Sequence, residues 1–361
     1  MNKEIELKLT VNQAFADFLS QQMSDFHLLG QKKRFLTNCY YDTAEHFFAK
    51  QQMGLRVRGE NEHFVLTLKT KGQVQAGLHI RPEYNIPLLS SSPILQQFAE
   101  QFADNPIKEL ADKDLYQLEQ QLIPIFRTDF CRQSWQVELA NYSEIEVALD
   151  QGEIIVNESL KAPICEVEFE LTQGNIADLF RFIKNLTLTD GIRLSSCSKA
   201  ERGYQLAKVS NIVPQDWVAK WCDFLKATQQ KNSHQILTAL LQYEQQLIEE
   251  TVALGADYFA DTFIHTVERV GAFFNLYHYY QDNAKLLGQC LEQRQSTVPV
   301  DEDIVEEMIE ANDYVYQQIK QIIRQHSENQ NNQQAMQVLI ELLHLGSYVP
   351  RLINLLWLTQ E

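Results

Sequence analysis

Glu4, Glu6 and Lys8 open the chain as Glu-x-Glu-x-Lys, with Ile5, Leu7 and Leu9 out of phase with them. That alternation predicts a short strand with one buried face. A period of two places Glu4, Glu6 and Lys8 together on the opposite face, about 6.5–7 Å apart. Two carboxylates at that spacing can converge on one divalent cation, and the lysine one step on can meet an anion held by that cation. Five residues alone fit an ordinary strand with its charges in water equally well. The partners supplied by the rest of the chain decide between the two.

A second carboxylate ladder stands far away, in Cys165-Glu166-Val167-Glu168-Phe169-Glu170-Leu171. A third alternating stretch, Glu144-Ile145-Glu146-Val147-Ala148-Leu149-Asp150, precedes it. Basic residues show the same alternation: Arg56 and Arg58 with Leu55 and Val57, Lys69 after Leu66-Thr67-Leu68, and Arg127, Asp129 and Arg132 between 125 and 139.

Elements that could carry these residues follow from the local pattern. Val11 to Leu29 reads as a helix capped by Asn12, and Phe35 to Tyr41 as an aromatic strand. Gly59-Glu60-Asn61-Glu62 joins two strands as a hairpin. Leu78 to Pro87 is a strand carrying Arg81 and Glu83, and Pro82 and Pro87 argue for an edge or a bulge there. Ser90 to Leu122 reads as a mostly helical excursion. Gln151-Gly152 reads as a tight turn that lets Glu153 to Val156 pair back. Ile176 to Leu188 is an amphipathic helix.

Past about residue 210 strand signals give way to helical spacing, as in Ile236, Leu237, Leu240, Leu241 and in Val338, Leu339, Leu342, Leu343. The expected domains are 1–207 and 214–361, in keeping with about two domains for 361 residues. From residue 211 onward nine lysines and arginines face twenty aspartates and glutamates, so the helical part is the more acidic one.

Composition narrows the classes. Apolar residues make up 45% and charged residues 22%, which allows large cores and excludes overall disorder. A net charge of −17 makes duplex nucleic acid and anionic membranes poor main partners. Cys39, Cys131, Cys165, Cys197, Cys222 and Cys290 form no Cys-x-x-Cys pair, which fits free thiols in a reducing compartment. No apolar leader follows Met1, and no run approaches the ~20 apolar residues of a membrane span, so a cytoplasmic location is expected. His27, His46, His63 and His79 fall outside the charged blocks and are assigned to surface or packing.

The charges are sorted by strand: Glu4/Glu6 and Glu166/Glu168/Glu170 acidic, Arg56/Arg58, Lys69 and Arg132 basic. A sheet curled into a barrel-like tunnel would turn all these faces inward. Crowded inward charges need partners. Divalent cations on an acidic side and a polyphosphate on a basic side would supply them. Arginine forks suit phosphate oxygens, and Mg2+ or Mn2+ takes carboxylate and phosphate oxygen. Phosphoryl transfer is then a matter of positioning and charge stabilisation.

The order of these blocks resembles the CYTH superfamily of triphosphate tunnel metalloenzymes. The resemblance rests on Glu4-x-Glu6-x-Lys8, Tyr40-Tyr41-Asp42-Thr43, Gly54-Leu55-Arg56-Val57-Arg58, Leu66-Thr67-Leu68-Lys69, Arg81-Pro82-Glu83-Tyr84, Glu144 to Asp150, Glu166-Val167-Glu168 and Ser198 to Tyr204. It covers about residues 1–207 and is nearest to bacterial inorganic triphosphatases that carry a helical CHAD domain. It implies an α+β chain: an antiparallel β tunnel or barrel, then an all-α bundle. The implied activity is metal-dependent cleavage of inorganic tripolyphosphate to pyrophosphate and phosphate, with Mg2+ or Mn2+ as cofactor.

Carried over residue by residue, the resemblance makes Glu4, Glu6, Glu166 and Glu168 metal-side carboxylates, with Asp150 beside them. It makes Lys8, Arg56, Arg58, Lys69, Arg132 and Lys199 the catalytic phosphate cradle. Arg81 joins them as a substrate-binding lumen residue, with Glu83 nearby. Water activated at the metal is the implied attacking group, so no protein nucleophile is expected. Lys199 and Arg202 also read as basic residues capping the C-terminal side of a helix. Adenylate cyclase, thiamine-triphosphatase, nucleoside-triphosphatase and a non-catalytic polyphosphate sensor share the same cradle and stay open.

Phe263 to Gly271 resembles the first repeat of CHAD domains. The helical part departs from that pattern in being short, acidic and poor in clustered lysine and arginine. A degenerate bundle serving stability, homodimerisation or tunnel closure is expected there.

Overall fold

The computed structural model describes residues 2–99, 107, 110, 112–209, 212–293 and 303–360. The chain forms two compact units. One comprises Met1–Leu179 with Cys197–Asn211; the other comprises Phe180–Ser196 with Ile212–Glu361. Compactness therefore groups Phe180–Ser196 with the helical residues, although they precede the last helix of the strand-rich unit.

The strand-rich unit is built on β1 (Asn2–Thr10), β2 (Leu28–Asp42), β3 (Gly54–Glu60), β4 (His63–Lys69), β5 (Gln73–Gln75), β6 (Leu78–Leu88), β7 (Ile123–Glu138), β8 (Glu144–Asn157) and β9 (Leu160–Gln173). Hydrogen bonding runs β1-β9-β8-β7-β2-β3-β4-β6, and β6 pairs back to β1. Eight antiparallel strands thus close into a barrel with no free edge along the ring. Short β5 adds to β6.

Closure explains the two apolar layers. On one face Leu7, Leu9, Val147, Leu149, Val167 and Phe169 are buried, as are Phe15 and Leu19 of α1 (Gln13–Gln22). A second outer core gathers Leu55, Val57, Leu66, Leu68, Tyr84 and Ile86 with Phe48 of α2 (Phe47–Lys50) and Leu118 of α3 (Leu115–Gln120). The opposite strand face points into the barrel. Ion pairs that skip a strand show this directly: Arg132 on β7 reaches Glu168 on β9, and Lys69 on β4 reaches Glu4 on β1.

One stretch of the interior is apolar. Leu36, Tyr40, Phe126, Phe130, Ile154 and Ile164 form a plug with Tyr204 of α5 (Lys199–Leu206), the helix that follows α4 (Ile176–Lys184) in the chain. Tyr40 stacks on Phe126 at 4.4 Å, and Tyr204 meets Phe126 edge-on at 5.4 Å. Gly203 is required there, because a Cβ would fall on the Phe126 ring.

The structure corrects several local readings. The first helix is shorter than Val11 to Leu29: it stops at Gln22, a 3-10 turn follows, and Leu28 already pairs across the sheet as part of β2. Gln151-Gly152 is not a turn. β8 runs straight through it to Asn157, with Gly152 between Phe130 and Ile164. The glycine serves close packing instead, since a Cβ would lie 2.1 Å from the Asp129 carbonyl oxygen. β6 is an interior strand despite Pro82 and Pro87. It changes partners along its length, with β1 on Leu78–Glu83 and β4 on Glu83–Leu88, so each proline sits where one flank lacks a ladder. Between Ser90 and Leu122 the described helical pieces are only the 3-10 turn Leu95–Phe98 and α3; other residues of that span lie outside the described ones. The 59–62 hairpin is as expected, with Asn61 left-handed at its turn.

The helical unit contains α6 (Trp217–Thr228), α7 (Ser233–Phe259), α8 (Phe263–Asp282), α9 (Lys285–Gln293), α10 (Ile304–Asn329), α11 (Asn332–Leu342) and α12 (Tyr348–Thr359). Leu237, Leu241, Phe273, Leu276, Ile319, Met336, Leu339 and Leu352 are buried in it. Glu244 lies in the middle, accepting from Arg351 at 2.7 Å and from the hydroxyls of Tyr277, Tyr280 and Tyr348 at 2.7, 2.8 and 2.5 Å. Arg351 is over the faces of the same three tyrosines. A fully paired charge of this kind fixes helix register. Among the described residues no helix is long and apolar enough to cross a membrane.

Gly152→Ala tests the packing assignment. Because the clash is with backbone, the variant loses about 1–3 kcal/mol of stability in urea unfolding; unchanged stability would show that Gly152 is not needed for close approach to β7.

Candidate active site

Strand register, not strand identity, decides which charges meet. Lys8 lies opposite Glu168, Arg132 opposite Asp150, Asp150 opposite Glu166, Glu4 opposite Arg81, and Lys69 opposite Glu83. The expected division into an acidic and a basic side is therefore wrong: acids and bases interleave around the lumen, because most charged positions face an opposite charge on the next strand.

Asp150, Glu166 and Glu168 converge, each offering a carboxylate oxygen within 4.8 Å of the others. Lys199 touches all three, at 2.7 Å to Asp150, 2.9 Å to Glu168, and in a short contact to Glu166. Arg132 forks onto Asp150 at 2.7 and 2.6 Å and reaches Glu168 at 2.5 Å. Lys8 lies 3.4 and 3.3 Å from Glu166 and Glu168. Arg202 adds a 3.4 Å contact to Glu166.

Burial alone would push the lysines down. The carboxylates outweigh it and hold Lys8 and Lys199 above the ordinary lysine range. Burial likewise pushes Glu168 up, but Lys199, Lys8 and Arg132 bring it well below the carboxylate range. The Phe130 ring marks the boundary with the apolar plug, with Lys199 and Arg132 both over it at 5.3 and 5.8 Å.

The placement of Lys199 overturns its reading as a C-terminal cap. Ser198 and Glu201 form a reciprocal capping box at the N-terminus of α5, so Lys199 is that helix's first residue. The helix dipole disfavours a cation there; three carboxylates more than offset it.

Glu4 and Glu6 form a separate group. Lys69 binds both oxygens of Glu4 at 2.7 and 2.8 Å and Glu83 at 2.7 Å. Arg81 reaches Glu4 at 3.4 Å and Glu6 at 3.1 Å. For Glu6, burial and Glu168 push upward, yet Lys69, Lys8 and Arg81 prevail and hold it at about 2. Glu170, further along the same face, is pushed up to about 8 by burial and by Glu4 and Glu6.

Arg56 and Arg58 differ from every other lumen base. Among the described residues neither forms an ion pair; their neighbours on β2 are Tyr40 and Asn38. The Tyr40 hydroxyl is 3.5 Å from Arg56 Nη1, and Arg56 Nε is buried without a hydrogen-bond partner. Burial, together with Arg56 and Arg132, pushes Arg58 down to about 9. Burial pushes Arg56 down too, but Tyr40, Glu83 and Glu4 outweigh it and hold it above the ordinary arginine range, so the carboxylates act on this pair at a distance and not by direct contact.

Tyr40, Asn38 and Thr128 were not among the expected site residues. All share the inward parity of β2 and β7, so period-two reading of those strands would have found them; their neutral or isolated character hid them.

The CYTH domain family matches residues 2–204. This chain belongs to the CYTH family. Over 365 residues it is 41% identical to an inorganic triphosphatase of Haemophilus influenzae, with 100% of this chain and 98% of that protein covered. Among solved structures, the Hippeastrum protein HpAC1, described as having a dominant triphosphatase activity, is 20% identical over 58% of this chain and 98% of its own, with a TM-score of 0.39. The inorganic triphosphatase NE1496 is 16% identical over 60% of this chain and 99% of its own, with a TM-score of 0.24. The CYTH match ends before α6 begins at Trp217.

The acidic cluster is a fit for a hard divalent cation. Its donors are all carboxylate oxygens, and Glu168 keeps partial exposure, with 14% of its side chain accessible. Lys199→Met removes the one cation among the described residues that touches all three carboxylates. Measured by urea unfolding, the variant loses about 3–5 kcal/mol of stability in the absence of divalent metal; wild-type stability would show that Lys199 does not organise the cluster.

Proposed function

We propose that this CYTH protein hydrolyses inorganic tripolyphosphate to pyrophosphate and phosphate with Mg2+ or Mn2+. The observation that carries the reading is the pair Arg56 and Arg58, two lumen arginines without an ion-pair partner among the described residues, on the face that also holds a three-carboxylate cluster. The full-length likeness to an inorganic triphosphatase supports it.

In this reading Asp150, Glu166 and Glu168 hold the metal, with Glu4 and Glu6 the next carboxylates on the same face. When bound, the metal neutralises the reacting phosphate and activates water for attack. Arg56 and Arg58 grip phosphate oxygens through their guanidinium forks. Lys8, Lys69, Arg81, Arg132 and Lys199 exchange carboxylate for phosphate as the anion enters, which keeps every buried charge paired. Residues 1–207 form the catalytic domain and 214–361 a helical, CHAD-like domain that stabilises it or mediates a homodimer. The six free cysteines support a reducing, cytoplasmic setting.

A substrate panel tests the proposal. Purified protein with Mg2+ or Mn2+ releases phosphate from tripolyphosphate faster than from ATP or thiamine triphosphate, and a chelator stops it. Arg56→Ala and Arg58→Ala each raise KM for tripolyphosphate about ten- to hundredfold, the loss of a bond to a charged group worth about 1.5–3 kcal/mol. Tripolyphosphate binding with no turnover under either metal would leave a sensor; a preference for an organic triphosphate would place the chain in another CYTH branch.

A further inference from the structure

Inside the apolar plug stands one polar pair that the ion-pair network does not use. Asn38 is fully buried on β2 between Leu36 and Tyr40, and Thr128 is fully buried on β7 between Phe126 and Phe130. The register sets Arg58, Asn38 and Thr128 side by side across β3, β2 and β7. Asn38 Nδ2 donates to Thr128 Oγ1 at 3.0 Å, and Arg58 Nε donates to Asn38 Oδ1 at 3.0 Å.

We propose that Asn38, held by Thr128, is a positioning residue that aims the Arg58 guanidinium at the triphosphate. The inference rests on the triphosphate reading above. An amide whose NH2 is fixed by a neighbour can present only its oxygen the other way. That oxygen takes the inner Nε–H of Arg58 and leaves the two terminal nitrogens as a fork for a phosphate. Holding a long side chain at its inner nitrogen removes rotamer freedom before the anion arrives. Thr128 accepts from Asn38, and Asn38 in turn accepts from Arg58, so the pair's outward hydrogen bond goes to the arginine. Two buried partners replaced together by apolar groups of similar shape are close to neutral for stability, so the chemistry they add is the orientation of Arg58. The downward push on Arg58 from burial and from Arg56 and Arg132 makes a fixed acceptor at Nε more valuable to it. Arg56 has no equivalent hold: its Nε lacks a partner and its Tyr40 contact is long.

The experiment is a double-mutant cycle on tripolyphosphate binding, read by calorimetry without divalent metal so that no turnover intervenes. Wild type, Asn38→Ala, Arg58→Ala, the double variant and Thr128→Val are compared. Asn38→Ala weakens binding about tenfold, and Arg58→Ala weakens it at least as much. Adding Asn38→Ala to Arg58→Ala changes binding less than about twofold, because the residue acts only through the arginine. Thr128→Val keeps the side-chain volume and weakens binding severalfold, which keeps the question open to test if Asn38→Ala does not fold. Equal losses in both backgrounds, or wild-type affinity in Asn38→Ala and Thr128→Val, would overturn the positioning role. If the wild type binds only with a divalent metal, the same cycle is read from KM with Mg2+; absence of both binding and turnover with metal present would overturn the functional reading itself.

Discussion

A lysine at the positive end of a helix, buried, with three carboxylates around it is the contact on which the rest of the barrel depends. Lys199 cannot sit there alone: both desolvation and the helix dipole oppose its charge. Asp150 and Glu166/Glu168, from two neighbouring strands, compensate it. In return Lys199 holds together carboxylates that would otherwise repel within 4.8 Å. The same helix carries Tyr204 and Gly203 onto Phe126, so the charged cluster and the apolar plug are anchored by consecutive turns of one eight-residue helix.

From that anchor the logic of the interior follows. Closing eight antiparallel strands forces every inward charge to find a partner, and the register supplies one to most of them. Among the described lumen bases Arg56 and Arg58 are the exception, and among the acids Glu170, which faces Glu6 and Glu146. The barrel pairs Lys8, Lys69, Arg81, Arg132 and Lys199 with carboxylates and, among the described residues, leaves two neighbouring arginines without an ion pair, which is the ground for the proposed anion site. The acidic net charge of the chain does not conflict with this. Burial makes local pairing count for more than the overall charge.

The sequence made the ladders legible. Period two at Glu4/Glu6/Lys8, at Arg56/Arg58 and at Glu166/Glu168 assigned these residues to one face, and only a closed sheet turns so many such faces inward. Register was not legible, because it depends on which strands meet and at what offset. Hence the expectation of two opposed charged sides failed, although each residue in it was correctly placed on the lumen face. Gly152 looked like a turn because glycine marks both turns and close packing, and the Phe130 backbone it makes way for lies 22 residues away in sequence. The prolines in β6 mark local stretches with one unpaired flank, but that the strand as a whole lies inside the ring is a tertiary fact. Asn38 and Thr128 carried no charge to attract notice. Their role appears only once β3, β2 and β7 are seen side by side.

The most direct measurement is a crystal structure of the protein with tripolyphosphate and no divalent metal. The account predicts the anion inside the barrel, with phosphate oxygens at about 2.7–2.9 Å from guanidinium nitrogens of Arg56 and Arg58. Tripolyphosphate bound elsewhere, or a lumen in which both arginines turn to carboxylates and admit no anion, would contradict it.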